Sequence, residues 1–219
     1  MIMLPPDIWG NVVALGVSLP ERFPGRYNII ESGVTFGENV TLGNFCTIKQ
    51  GCRIGAGTVI GDYVRLGEDS WIGAGCRIAD GVHTTGPCRI GDNVNIRTGA
   101  IISKRTILED LVFVGPAVVT NHTKHVRHGR PGADVEKLVT YVGAGSVIGS
   151  QTAIVAGIHI APLSIIGAAS LGTKDIEDGH AVYMGAPWKR VADLPDEYDM
   201  ELPCTAGFMY VADRQRLSE

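Results

Sequence analysis

The sequence predicts an all-β fold: a parallel β-helix in which the chain winds through stacked short strands. Three observations carry that prediction. Written in sixes from Ile30, residues 30–119 fall into fifteen hexads without a slip, and five more run from Val142 to Leu171. The first position is aliphatic or Phe in 19 of the 20 hexads, Thr84 being the exception. A phase held that long is the signature of a solenoid built from equal units. Aromatic residues make up only 6% of the 219, so the core must be filled by small aliphatic side chains, as a narrow coil requires.

Taken in order, residues 1–29 are aperiodic and rich in Pro and Gly, which suits a cap over the first coil and its open edge. From Ile30 onward, the first residue of each hexad points inward and stacks on its equivalent one coil away. The fifth is small or slender (Val34, Val40, Cys46, Cys52, Thr58, Val64, Ser70, Cys76, Cys88) and also points inward. Four of the five cysteines are thereby explained as core fillers, because buried free Cys behaves as a small hydrophobe. Their odd number and the lack of a CxxC pair argue against a disulfide framework or a zinc knuckle. Glycine at many second positions reads as a tight corner with unusual φ/ψ. Three hexads make one triangular coil of 18 residues, and about six to seven coils give a prism about 30 Å tall. The outward sixth positions change character along the chain, from Thr35, Thr41, Thr47, Arg53 and Arg65 to Ile101, Ile107, Phe113 and Val119. Apolar residues facing outward predict a covered flank and hence a subunit interface.

Residues 120–141 leave the rhythm and are expected to be extruded as a loop. Long irregular loops on compact scaffolds are usually functional or disordered. This one begins "TNHTKHVRHGR" (120–130), with His122, His125 and His128 among basic residues. Three readings stand. The loop could be solvated surface. The histidines could hold a metal, although no carboxylate or thiolate pattern anchors one. Or one histidine could act as general base, since neutral imidazole near pH 7 suits taking a proton from an attacking hydroxyl or amine. Residues 192–219 are polar with a few aromatics and read as an arm or a short helix. The net charge of −4 gives no global reason to expect nucleic acid. No apolar run reaches membrane-spanning length, and the start lacks a basic leader, so a cytoplasmic protein is expected.

Two segments carry a resemblance. "EDLVFVGPAVVTNH" (109–122) is similar to the "ED-x-VF-x-GP…TN" segment of hexapeptide-repeat sugar acyltransferases. "IGAASLGTKDIEDGHAVYMGAPWKRV" (166–191) is similar to that family's closing "IGAGAVVTKDV…GNPAKVI". From Ile30 to Val191 the chain resembles the bacterial hexapeptide-repeat acyltransferases, especially those acetylating sugars or nucleotide-linked sugars on oxygen or nitrogen. The resemblance implies a left-handed β-helix, a homotrimer, acetyl-CoA or another acyl-CoA as co-substrate, and no metal. It implies His122 as catalytic base, where the N-acetyltransferases commonly carry Asp after "TN", with His125 a weaker substitute. Asn121, His125, Arg127 and Asp110 would flank the acceptor. Ser150 and Ala168 would offer backbone groups to the pantetheine. Thr173 and Lys174 would sit near the adenosine end, where Lys189 could also neutralise phosphate. The match departs at Gly172, where the family usually has Val, and at Ala186, where it usually has Asn. Two other classes remain open: a metal-dependent enzyme of the carbonic-anhydrase type on the same fold, and a non-catalytic β-helix scaffold.

Overall fold

A computed structural model describes residues 2–7, 9–20, 25–126 and 138–202. Among them the chain forms three sheets, one for each side of a triangular prism. Face I has nine strands, opening with Val12–Val13, Ile29–Ile30 and Thr47–Ile48 and ending at Leu171–Gly172. Face II has seven, from Thr35–Phe36 to His159–Ile160. Face III has nine, from Thr41–Leu42 to Ala181–Met184 and Lys189–Asp193. The chain visits them in the order I, II, III, so each coil has three edges. Pairing is parallel, at 18-residue register within the unbroken hexads, as in Arg53↔Trp71 and Trp71↔Arg89, at 34 across the loop, as in Thr106↔Thr140, and at 17 at the two ends, as in Val12↔Ile29 and Ser164↔Ala181. The exceptions are the final antiparallel pairing of Ala181–Met184 with Lys189–Asp193 and one isolated antiparallel bridge between Met3 and Ala14. The prism is taller than the hexads alone predict, because Val12–Val13 adds a strand below Ile29–Ile30 and Ala181–Met184 adds one above Ser164–Ile166.

The inward positions are as the pattern requires. Ile30, Leu42, Ile48, Leu66, Ile72, Ile78, Ile96 and Ile102 are fully buried, and so are the fifth-position residues Val40, Thr58, Ser70 and Cys76. Thr84, the exception at the first position, is also buried. Its hydroxyl accepts from the Gly67 N–H at 2.7 Å and lies 2.9 Å from Ser70 Oγ. Burial pushes the thiols of Cys46, Cys76 and Cys88 up to about 11 and that of Cys52 up to about 12. They therefore stay protonated near neutral pH, as core fillers should. Cys204 lies outside the described residues.

The glycine expectation needs correction. The left-handed conformation belongs to the fourth residue of the hexad, in 19 of 20 hexads, with Phe45 (φ 56°), Tyr63 (57°) and Leu111 (61°) among them. Pro87 is the exception, its ring fixing φ negative. Tyr27, Phe45 and Tyr63 stack along one edge with ring centroids 5.2 and 5.1 Å apart, an attraction that offsets part of their backbone strain. Second-position glycines have a different reason. A Cβ on Gly55 would lie 2.5 Å from Ala74 N and 2.5 Å from Gly73 C, the backbone of the coil above. Close stacking of coils, not the dihedral angle, excludes a side chain there.

The edges are also tied by side chains. Asp62, Asp80, Asp92 and Asp110, each third in its hexad, accept from a backbone N–H one coil below at 2.7–2.9 Å. The repeat thus orders itself in the axial direction through backbone ladders and carboxylate ladders together.

Candidate functional site

The loop is narrower at both ends than the hexad count predicts. Thr120 is still a buried strand residue paired with Ile154, and Thr140–Val142 is a strand paired with Thr106–Leu108. The loop therefore leaves from Asn121 and His122, on the edge between faces I and II. Its stem rests on a buried hydroxyl cluster. Ser103 Oγ donates to the Thr120 carbonyl at 2.6 Å, the Ser103 N–H donates to Thr120 Oγ1 at 2.8 Å, and Thr106 Oγ1 lies 3.0 Å from Thr120 Oγ1. Asn121 clamps the exit from above: its N–H and its side-chain amide both donate to the Ile154 carbonyl, at 2.9 and 3.0 Å. Asn121 acts here as a fastening for the stem.

His122 is half-buried directly above Lys104 and Arg105, one coil earlier on the same edge. Burial, which strips water from the charged imidazolium, holds its pKa below the ordinary histidine value, and the charges of Lys104 and Arg105 push the same way. A neutral imidazole on a fixed stem can accept a proton at physiological pH. Lys104, Arg105, Ser103 and Thr106 were absent from the sequence-based site. The signal was available, since Lys104 precedes His122 by 18 residues, one whole coil.

The remaining expected site residues divide by edge. Thr173 and Lys174 follow the strand Leu171–Gly172 and share the I–II edge with His122, two rungs above it, about 10 Å along the axis. Lys174 is exposed, and its carbonyl accepts from the Trp188 indole N–H at 3.1 Å. Ser150 and Ala168 lie on the III–I edge, one coil apart, where the Ala169 N–H donates to the Ser150 carbonyl at 2.8 Å. Lys189 is exposed on the closing hairpin of face III. His125 is exposed in the loop, while Arg127 and His128 lie outside the described residues. Asp110 does not join His122. It sits on the II–III edge, and its carboxylate accepts from the Asp92 N–H at 2.7 Å. The adjacent Glu109 is buried and accepts from the Ala144 N–H at 3.0 Å. Twelve residues separate Asp110 from His122, two sides of the triangle, so nearness in sequence did not mean a shared edge.

The departure at Gly172 also has a physical reason. A Cβ there would lie 2.2 Å from the Trp188 ring, and Trp188 is itself buried. The indole fills the space a valine would otherwise take. The apolar outward stripe is partly an internal matter as well. Ile107 is covered by Val139 and Tyr141, where the loop returns to face II. Ile101, Val119 and Leu171 on face I, and Phe113, Val147, Ile165 and Val182 on face III, remain at least partly exposed on this chain. Among the described residues no group of three or more His, Cys, Asp or Glu could hold a metal ion, and no helix is long and apolar enough to cross a membrane.

Comparison with known proteins agrees with this architecture. Residues 29–68, 51–86 and 63–104 match the family model "Bacterial transferase hexapeptide (six repeats)". The bifunctional protein GlmU of Paramagnetospirillum magneticum is 31% identical over 166 residues, 67% of this chain and 30% of that protein. GlmU of Pseudoalteromonas atlantica is 28% identical over 211 residues, 81% of this chain and 44% of that protein. The chain therefore spans less than half the length of these relatives. A solved UDP-N-acetylglucosamine acyltransferase from Campylobacter jejuni superimposes with a TM-score of 0.57 at 15% identity, over 95% of this chain and 80% of the other, which is a likeness of fold. Repeat and fold together make this chain a hexapeptide-repeat protein with a left-handed parallel β-helix.

Proposed function

We propose that the protein is an acyltransferase that moves an acyl group, most simply acetyl, from coenzyme A to a hydroxyl or amine of a sugar or nucleotide-linked sugar. The observation that carries the reading is His122: a histidine kept neutral by burial and by Lys104 and Arg105, on a stem fastened by Thr120 and Asn121. In this reading its imidazole takes the acceptor's proton as the oxygen or nitrogen attacks the thioester carbonyl. The tetrahedral intermediate collapses, and the imidazolium returns the proton to the departing thiolate. The scaffold contributes chiefly by holding two reactants in line. Lys174, exposed on the same edge, suits the adenosine-end phosphates of the coenzyme. The hexapeptide repeat and the closing Thr173–Lys174 segment support coenzyme A as donor.

The edges bear on assembly. His122 lies on the I–II edge and Ser150 and Ala168 on the III–I edge, so one chain holds them on opposite borders of face I. Side-by-side packing of copies, with the I–II edge of one against the III–I edge of the next, would bring both sets into one cleft. The apolar outward residues of faces I and III supply a contact surface for it. A cytoplasmic homotrimer with the active site at the seam is the arrangement we propose.

Acetyl-CoA binding tests the donor. At about 100 times its Kd, a ligand binding only the folded protein stabilises it by about 2.7 kcal/mol, which for a chain of this size raises Tm by about 5–10 °C. Lys174→Ala is expected to shrink the shift. No shift with acetyl-CoA at millimolar concentration would favour the scaffold reading.

A further inference from the structure

The lowest coils carry an aromatic ladder turned outward. Tyr27, Phe45 and Tyr63 take the fourth position of three successive coils on the III–I edge, with ring centroids 5.2 and 5.1 Å apart. Tyr27 in turn rests on Gly10, where a Cβ would lie 2.6 Å from its ring. Stacking uses the ring faces and leaves the rims and hydroxyls to solvent, so the three residues are 58%, 48% and 64% exposed. All three hold the left-handed backbone, φ 56–57°, in which a bulky residue is strained. At about 150–250 Å² per aromatic side chain, three half-exposed rings leave roughly 300 Å² of surface. Ile29 and Val59, also exposed, flank them on faces I and III. An apolar patch of that size marks a contact surface.

The two edges beside face I indicate what covers it. Above Tyr63 the fourth position of the III–I edge shrinks to Gly81, Gly99 and Ala117. The I–II edge runs the opposite way: Gly33, Gly51 and Asp69 at the levels of the three rings, then Pro87, Arg105 and the loop exit at His122. Each bulky residue on one edge thus meets a smaller one at its own level on the other. Asp69 keeps the pattern, because its carboxylate lies over Gly51, in the space a Cβ would take. A carboxylate there suits both the Tyr63 hydroxyl and the positive rim of an aromatic ring. A closed ring of copies about an axis along the prism involves no shift along that axis, so level meets level.

We infer that the ladder is a docking surface for a second copy of this chain, its rings seated against Gly33, Gly51 and Asp69 of the next copy. This rests on the side-by-side packing proposed above and adds its register and its contact residues. The ladder also shapes the cleft. With the rings joining the lower coils, Gly81, Gly99 and Ala117 leave a gap higher up, opposite Arg105 and His122 of the neighbour. A Cβ on Gly99 would meet nothing within 4 Å, so this chain does not fill that gap itself. A stable interface buries about 800 Å² on each partner, of which the ladder supplies roughly a third to a half. The outward apolar residues of the upper coils supply the remainder.

The test places cysteines on both edges of the full chain. Cys204→Ser removes one native thiol, and the other four are buried and protonated, hence unreactive. Tyr63→Cys combined with Asp69→Cys, treated with a short bismaleimide, is expected to give covalent dimers and trimers on a denaturing gel. The linker is chosen because a docked ladder holds the two backbones further apart than a disulfide spans. Either substitution alone should give none, since the two edges are different surfaces. Phe45→Cys with Asp69→Cys, one level out of step, should react much more slowly. In sedimentation, Phe45→Ser should weaken assembly about tenfold or more, as loss of a buried aromatic anchor implies. Its acyl transfer per chain should then rise with protein concentration. Circular dichroism and Tm check that each variant is folded. Monomeric wild-type protein, a Tyr63→Cys variant that crosslinks to itself, or assembly that Phe45→Ser leaves unchanged overturns the inference. Level-specific crosslinking without acyl transfer would keep the ladder and sink the transferase. Acyl transfer by chains whose ladder crosslinks to nothing would do the reverse.

Discussion

Replacing His122 by alanine is expected to lower turnover by about 10² to 10⁴, the usual worth of a positioned general base. Its stem should survive the change, because the fastening contacts belong to Ser103, Thr106, Thr120 and Asn121 and not to the imidazole. KM for acetyl-CoA should therefore move little while kcat falls. The pH profile supplies a second readout with a definite sign. Catalysis needs the neutral imidazole, so kcat/KM is lost as pH falls through the folded pKa of His122. That pKa is lowered from 6.5 by burial first and by Lys104 and Arg105 next. The acid limb should lie below 6.5, with a plateau through neutrality. Lys104→Gln removes one of the lowering charges and should move the limb to higher pH; His122→Ala should abolish it. A variant lacking His122 that retains both rate and acid limb would place the base elsewhere, with His125 the next residue to examine.

Gly55→Ala is expected to cost more than Gly57→Ala, although Gly57 is the one with a positive φ. At Gly55 the added methyl meets Ala74 N at 2.5 Å and Gly73 O at 2.6 Å, atoms of a backbone ladder that cannot move without breaking the coil above. Overpacking of that kind costs about 3 kcal/mol or more when the obstacle is main chain. At Gly57 (φ 68°) nothing lies within 4 Å of the new atom, and the cost is the left-handed backbone alone, about 1–2 kcal/mol. Thermal unfolding should show a Tm drop of about 6–12 °C for Gly55→Ala and about half of that or less for Gly57→Ala. The reverse order would restore the dihedral angle as the reason for second-position glycine.

The two glycines show what the sequence could and could not reveal. The period was legible because burial in a narrow prism permits few residue types at the first and fifth positions. That logic placed Ile72, Cys76 and Ile78 correctly in the core. The left-handed fourth position was not legible, because Phe45, Tyr63, Leu111 and Gln151 all occupy it. There the coil-to-coil hydrogen bonds, and at Tyr27, Phe45 and Tyr63 the ring stack, outweigh the preference for glycine.

Within the site, counting by 18 would have done better than counting by neighbourhood. It pairs Lys104 with His122 and Ser150 with Ala168, and it separates Asp110 from His122. The compensation of Gly172 by Trp188 lay beyond any such count, since it depends on how the final hairpin folds back onto the last coil of face I.

The central claim is acyl transfer from coenzyme A, and release of its thiol tests it most directly. Purified protein would be mixed with acetyl-CoA and a panel of nucleotide-linked sugars, sugar phosphates and neutral sugars, and free thiol followed with time. The account predicts thiol release that requires a sugar or nucleotide-linked sugar acceptor and falls by about 10² or more in His122→Ala. Thiol release that no acceptor accelerates, or acceptor-dependent release that His122→Ala leaves intact, would contradict it.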